Sequence, residues 1–301
     1  MTATTTMPSG GILSRAGRGS TGNRGRKRRR KPAEIGIMVL MWGYAALVLA
    51  PILLVVFNSL RPSRDIFRQP IGIPTSLRFE SYTTAWTEAN FSSYFVNSLT
   101  ITVASVVLGT GLAVLAAYPL GRYTFRGGGV LSAYFLSGLL LPFRLAILPL
   151  FLLLQNLGLV DSRLGLVLVY AATGIPFSVF ILSAFFRQLP IELTEAARID
   201  GAGEFTIFRR VMLPLVRPAL ATVAVFQFVP LWNDFFFPLV LLRSTDKWTL
   251  PVGLTRFFGE FQTDWSTLFA GIIITTLPLV VLFLVATKQI IAGLTAGIGK
   301  M

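Results

Sequence analysis

Two ionisable residues stand inside long apolar runs, and any chemistry of this chain would be sought there first. Asp234 follows Trp232 and Asn233 in a run from Pro218 to Leu242, and Arg144 lies between Pro142 and Pro149 in a run from Val130 to Leu154. A charge at membrane depth is costly enough to be a functional candidate by default. An indole face, an amide and a carboxylate, with Gln227 earlier in the same run, can stack on a sugar ring and hydrogen-bond its hydroxyls. Gln227, Trp232, Asn233, Asp234 and Arg144 are therefore candidate lining of a solute path. Sealing a helix bundle is the competing role for the same residues. An unpaired charge at that depth is expensive, so Arg144 and Asp234 are expected to pair.

Bond-making chemistry has no comparable support. The 301 residues include no histidine and no cysteine, which removes the commonest general base at neutral pH, the commonest metal ligand and every thiolate. No catalytic residue, metal or cofactor is expected. Gly299-Lys300 resembles the end of a phosphate-binding loop, but Leu294 stands where its first glycine belongs and Met301 where a Ser or Thr would hold magnesium. No nucleotide site is therefore expected in this chain.

The elements that must position these residues are membrane helices. Hydrophobic residues make up 53% and charged residues 13% of the chain, against about 25% charge in a soluble domain. Six apolar runs, Ile35–Phe57, Phe95–Tyr118, Val130–Leu154, Leu164–Phe186, Pro218–Leu242 and Leu268–Ile291, each approach the roughly 20 residues that a spanning helix needs. The first is too long for the h-region of a signal peptide, which has about 7–15 residues. An all-α fold of six spans over residues 34–292 is predicted. It is preceded by a basic, Ser/Thr/Gly-rich tail at 1–33, expected to be disordered, and followed by a short tail at 293–301. With the N-terminus inside, seventeen of the 27 Lys and Arg fall on the cytoplasmic side and eight outside. Both termini are thus placed in the cytosol. The net charge of +14 then reads as a topology signal, and no nucleic-acid partner is expected.

The most informative loop is the cytoplasmic one at 187–213. Pro190 suits a first helical turn, and Glu192 and Glu195 favour a helix N-terminus. Leu193, Ala196, Ala197 and the stem of Arg198 can form a narrow stripe. Gly201 and Gly203 then permit a turn, and a second short helix runs to Pro214. The segment is a predicted helix–turn–helix elbow.

Glu195-Ala196-Ala197, three residues, Gly201, nine residues, then Val211-Met212-Leu213-Pro214 resembles the signature loop of permease subunits in binding-protein-dependent ABC importers. Valine for isoleucine at 211 is the only departure from that pattern. Asn58 to Ser63, Tyr82 to Trp86, Asn97-Ser98 and the terminal Gly293-Leu294-Thr295-Ala296-Gly297 are similar to the sugar-importer branch, in particular to the six-span, maltose-permease-like partner of the permease pair. The resemblance covers about residues 35–300. It implies a type I importer transmembrane domain that works beside a homologous permease, an ATPase dimer and an extracytoplasmic solute-binding protein. It also implies that Glu192, Glu195, Ala196, Ala197, Asp200 and Gly201, with Gly293, Thr295 and Gly297 of the tail, dock on the ATPase, and that a mono- or oligosaccharide is carried. The same machine for a polyol or glycerol phosphate is the alternative. An ion-coupled transporter is a further one, poorly matched by a lone midplane acid. Aromatics in the outer loops (Tyr82, Trp86, Trp248, Phe257, Phe258, Trp265) suit either binding-protein contact or anchoring at the headgroups.

Overall fold

The computed structural model describes residues 32–74, 77–258 and 264–298, the stretch from 288 onward as helix backbone only. Among the described residues all regular structure is helical. In chain order the helices are α1 (Pro32–Ser59), α2 (Ser63–Arg68), α3 (Glu80–Thr87), α4 (Phe91–Arg122), α5 (Gly128–Leu140), α6 (Ile147–Asn156), α7 (Arg163–Gln188), α8 (Glu192–Ile199), α9 (Glu204–Thr206), α10 (Leu213–Leu215), α11 (Arg217–Trp232), α12 (Phe236–Leu241), α13 (Leu250–Gly253) and α14 (Trp265–Ile298). The basic tail up to Lys31 lies outside the described residues. The first part of α1, to Leu49, is a unit by itself with apolar side chains exposed on all its faces.

Four helices (α1, α4, α7 and α14) are each long and apolar enough to cross a membrane; the other two predicted spans are bent. In the third, Gly128–Leu140 meets Phe143–Asn156 at 84°. Pro142 supplies no amide donor and forces Leu141 into extended backbone (φ −76°, ψ 123°), so a short 3-10 turn, Phe143–Ala146, fills the break. Just ahead of the fifth, Glu204–Leu215 meets Arg217–Trp232 at 71° beside Pro218. The helix expected to continue from Pro218 to Leu242 stops at Trp232 and resumes at Phe236. Pro238 has no N–H to give the carbonyl of Asp234, and that missing rung falls in the gap. The last span outruns its predicted end at Ile291, continuing as helix to Ile298.

The centre of the fold is the contact of α4 with α7, and small residues make it close. A Cβ on Gly121 would lie 2.6 Å from Phe186 Cβ and 2.7 Å from the Ser183 carbonyl. One on Gly109 would lie 3.1 Å from the Ala171 carbonyl. Lipid tails are as apolar as leucine, so association here depends on such backbone approach. Ala113, Ala117, Leu182, Phe186, Met212 and Val223 fill the core around this seam. Gln227 of α11 reaches across it, donating to Thr110 at 3.3 Å and to Ser178.

At the other end of the bundle one carboxylate ties two loops together. Asp161 has left-handed backbone (φ 56°). Its Oδ1 accepts from the amides of Arg243 and Ser244 at 2.9 Å, and its Oδ2 from Ser244 Oγ at 2.5 Å and Lys247 Nζ at 2.8 Å. The Lys247 ammonium and the Ser244 donors hold its carboxyl well below the usual carboxylate range. The stabilisation is therefore complete above the unfolded value of about 4 and is lost only as pH falls through the depressed folded value. Asp161→Asn is expected to lower the melting temperature of the detergent-solubilised protein at neutral pH. The loss should sit near the lower end of the ~1.5–3 kcal/mol that bonds to a charged group contribute, because the clamp is partly exposed. The difference should vanish in strong acid. Equal melting at pH 7 would show that the clamp contributes nothing.

Candidate functional site

The first candidate region is the elbow. α8 begins with Glu192 and Glu195 in its first turn, where acids complement the helix dipole. Gly201 closes the turn in left-handed backbone (φ 78°). Beyond it α9 runs into a π-helical segment, Ile207–Met212, that hands over to α10. The buried residue of α8 is Thr194, outside the stripe of Leu193, Ala196 and Ala197. Thr194 faces inward, while Leu193 and Ala196 are exposed and Ala197 is half-buried. The reason is polar: Arg122, the last residue of α4, donates from Nη2 to Thr194 Oγ1 at 3.1 Å and to the Pro190 carbonyl at 2.8 Å, and from Nη1 to the Leu189 carbonyl at 2.6 Å. α8 is therefore held by its threonine side, with Ala197 packed against the core beside it, while Leu193 and Ile199 are exposed. Ile199 is 87% exposed, and Ile191 and Phe205 are exposed on either side of it. Glu192, Glu195, Asp200 and Gly201 share this outward surface.

A second tie spans the turn. Arg198 Nη2 lies 2.8 Å from Glu204 Oε1, and the Tyr123 hydroxyl donates to Glu204 Oε2. Tyr123 in turn meets Tyr118, hydroxyl to hydroxyl, at 2.9 Å. The Tyr123 bond, followed by Arg198, pulls the Glu204 carboxyl below its ordinary range. Burial, with the Glu204 bond next, pushes the Tyr123 hydroxyl up. At neutral pH the carboxylate is ionised and the phenol protonated, so the latch stays closed; it weakens only as acid protonates Glu204. Arg122 and Tyr123 were not legible as site residues, because nothing in their local sequence marks them as posts for a loop some 70 residues on.

The second region is a cleft of about 330 Å³ lined by Pro142, Phe143, Arg144, Tyr170, Thr173, Pro230, Leu231, Asp234 and Phe237. Both helix breaks open onto it. The 3-10 turn after Pro142 carries Arg144, and the gap between α11 and α12 carries Asp234. Arg144 Nη2 lies 3.9 Å from Asp234 Oδ1, with side-chain exposures of 76% and 8%. The carboxylate is already engaged. It accepts from Tyr170 Oη at 2.7 Å and from the amides of Phe236 and Phe237 at 3.4 and 3.2 Å, so it caps α12 in the manner of an N-cap aspartate. Arg144 is the loosely held member of the pair.

The other path candidates lie elsewhere. Trp232 is 1% exposed, stacked on Phe228 and bonded through Nε1 to the Thr275 carbonyl at 2.9 Å, inside the core and outside the cleft. Gln227 is buried in the α4–α7–α11 knot. Asn233 is exposed, its Nδ2 donating to the Val229 carbonyl. Tyr170 and Thr173, which do line the cleft, gave no sign in the sequence beyond lying in an apolar run. Of the outer aromatics, Trp248 and Phe257 pack inward and Trp86 is exposed. The side chains of Phe258, Gly293, Thr295 and Gly297 lie outside the described residues.

The bundle has helices broken at charged residues and carries an exposed apolar elbow between two of its apolar helices. The family described as binding-protein-dependent transport system inner membrane component matches residues 109–293, and this chain belongs to it. The match takes in the elbow, both helix breaks and the cleft. The chain is 39% identical over 271 residues, 89% of each chain, to the diacetylchitobiose uptake system permease protein NgcG of Streptomyces coelicolor. It is 35% identical to the arabinooligosaccharides transport system permease protein AraQ of Halalkalibacterium halodurans (90% of this chain, 98% of that one). Against the trehalose transport system permease protein SugB of Mycobacterium tuberculosis the identity is 34% (87% and 94%). Among solved structures, a bacterial ABC transporter for import of the acidic polysaccharide alginate superposes with a TM-score of 0.76 at 26% identity, over 86% of this chain and 98% of that one. The chain is an ABC-importer permease with the type I transmembrane fold.

Proposed function

We propose that this permease carries a mono- or oligosaccharide, delivered by an extracytoplasmic binding protein, and that it works as the six-span half of a heterodimer above two ATPase subunits. The observation that carries the ATPase contact is the elbow, where Ile191, Ile199 and Phe205 stand exposed around the Glu195-Ala196-Ala197 and Gly201 signature. Apolar side chains of this size at the tip of a polar loop are what a partner's groove would cover. The elbow, both termini and the basic tail lie in the cytosol in this reading, in keeping with the excess of Lys and Arg on that side. Glu192, Glu195, Ala196, Ala197, Asp200 and Gly201 form the docking surface, with Gly293, Thr295 and Gly297 as a second contact. ATP-driven closure pushes α8, and the push passes through Arg122 and the Tyr123–Glu204–Arg198 latch into the end of α4. The saccharide cargo is supported by the relatives named above and by a cleft lined by Arg144, Asp234, Tyr170 and Thr173. Purified complex, reconstituted with its binding protein, should accumulate labelled oligosaccharide only when ATP is supplied on the elbow side. Uptake driven by an ion gradient in the absence of ATP would refute this reading.

A further inference from the structure

We propose that the cleft where α4, α5 and α7 end on the elbow side binds the phosphodiester headgroup of an anionic lipid, and that its occupant steadies the elbow. The proposal rests on the orientation given above, which puts this end at the inner leaflet.

The cleft measures about 470 Å³ and is lined by Leu120, Gly121, Arg122, Tyr123, Thr124, Phe125, Gly128, Gly129, Ser132 and Arg187. That volume falls in the ~300–1,000 Å³ range of small-ligand sites. Two arginines and three hydroxyl residues line it, with no Asp or Glu among the described lining residues, although Glu204 holds the Tyr123 hydroxyl and Arg122 is already bonded to the elbow. Guanidinium forks match phosphate oxygens with paired hydrogen bonds, and a basic pocket between helix ends is a pattern that recognises lipid headgroups. Arg187 makes one long described bond, Nη2 to the Leu120 carbonyl at 3.4 Å. An arginine has five N–H donors, so most of its capacity remains for a ligand. The depth also fits. Arg122 is the last residue of α4, Gly128 the first of α5, and Arg187 the last but one of α7. Helices of 32 and 26 residues reach roughly 48 and 39 Å, beyond the ~30 Å hydrocarbon core, and their ends lie among the phosphates. Exposed Phe125 offers an apolar wall beside the glycines for the start of an acyl chain.

The link to transport runs through two residues of the lining. Arg122 holds α8 by the Leu189 and Pro190 carbonyls and by Thr194, and Tyr123 anchors the latch to Glu204. A headgroup bound here touches both posts that carry the elbow, so its presence restrains their motion relative to α4.

The test uses the complete permease–ATPase complex in nanodiscs of phosphatidylcholine, alone or mixed with phosphatidylglycerol, with retained lipid counted by native mass spectrometry. Wild type should retain phosphatidylglycerol over phosphatidylcholine by about tenfold or more, equivalent to one decade of affinity. Its solute-stimulated ATPase should rise with that lipid. Arg187→Gln should lose both the preference and the stimulation, while Arg187→Lys, which keeps the charge, should retain most of each. Equal retention of the two lipids by wild type overturns the site, and that comparison decides the matter even if the glutamine variant fails to assemble. Retention unchanged in Arg187→Gln overturns the residue assignment. Displacement of phosphatidylglycerol by inorganic phosphate or a sugar phosphate shows a soluble anion as the ligand and overturns the lipid. Because the chain has no cysteine, Thr124→Cys gives a single labelling site. Its reaction with an impermeant maleimide from outside the cell would refute the orientation independently of the lipid result.

Discussion

Ile199→Asp is expected to cut ATP-coupled uptake by at least about tenfold while leaving insertion and thermal stability of the isolated permease unchanged. The asymmetry follows from where the side chain stands. Ile199 is 87% exposed at the end of α8, so within this chain it has almost nothing to lose. Surface substitutions away from special features usually fall within about 0.5 kcal/mol. If an ATPase groove covers it, however, burial of the isoleucine contributes about 1.5–3 kcal/mol to docking, which is roughly tenfold to over a hundredfold in affinity. An aspartate adds the cost of a desolvated charge. Ile199→Leu should retain most activity, because it keeps the apolar volume. The measurement is twofold: uptake into proteoliposomes, and co-purification of the ATPase with the permease. Normal uptake by the aspartate variant would remove the elbow tip from the docking surface. Lost uptake with a lowered melting temperature would instead mark the residue as structural. Arg122 offers the internal contrast, since its substitution should lower stability and coupling together by releasing Leu189, Pro190 and Thr194.

The elbow was legible in the sequence and the cleft was only half so, for a physical reason. Gly201 and the Glu195-Ala196-Ala197 triplet act through local backbone, and a turn needing φ of 78° leaves a glycine in the text. The six apolar runs were equally plain, because crossing lipid is a property of a single segment. What a segment does not record is which of its faces meets a neighbour. Thr194 outranks Leu193 as the buried residue of α8 because Arg122, on another helix, supplies a donor. Trp232 sits beside Asn233 and Asp234 in sequence, but its indole turns to the Thr275 carbonyl while the carboxylate turns to Tyr170. Asn233 and Asp234 stand past the last turn of α11, so the three residues share no helix face. The prolines prove directive. Pro142 and Pro238 break two spans at the places where Arg144 and Asp234 stand, so the charged residues occupy free backbone ends rather than the wall of a continuous helix.

That placement sets the expected outcome at Asp234, where substitutions should divide by shape rather than by charge. Asp234→Leu removes the acceptor for Tyr170 Oη and for the amides of Phe236 and Phe237. Each buried donor left without a partner costs about 1–3 kcal/mol; the Tyr170 hydroxyl and the Phe237 amide are buried and the Phe236 amide partly so, and losing all three should unfold the start of α12 and abolish uptake. Asp234→Asn keeps one carbonyl oxygen for the cap and loses only the ion pair with Arg144 and part of the Tyr170 contact. With the guanidinium 3.9 Å away and 76% exposed, that pair is worth about 1 kcal/mol or less, so the asparagine variant should insert normally and keep measurable uptake. Arg144→Gln should leave stability intact and act on the Michaelis constant for the solute, because Arg144 faces the cleft rather than supporting it. The charge-exchanged double variant, Arg144→Asp with Asp234→Arg, would restore activity if pairing were the function of these residues. Here it should fail, since an arginine at 234 sets a cation against two backbone donors and a phenol that need an acceptor. Recovery in the exchanged variant would show that the ion pair, not the cap on α12, is what Asp234 is for.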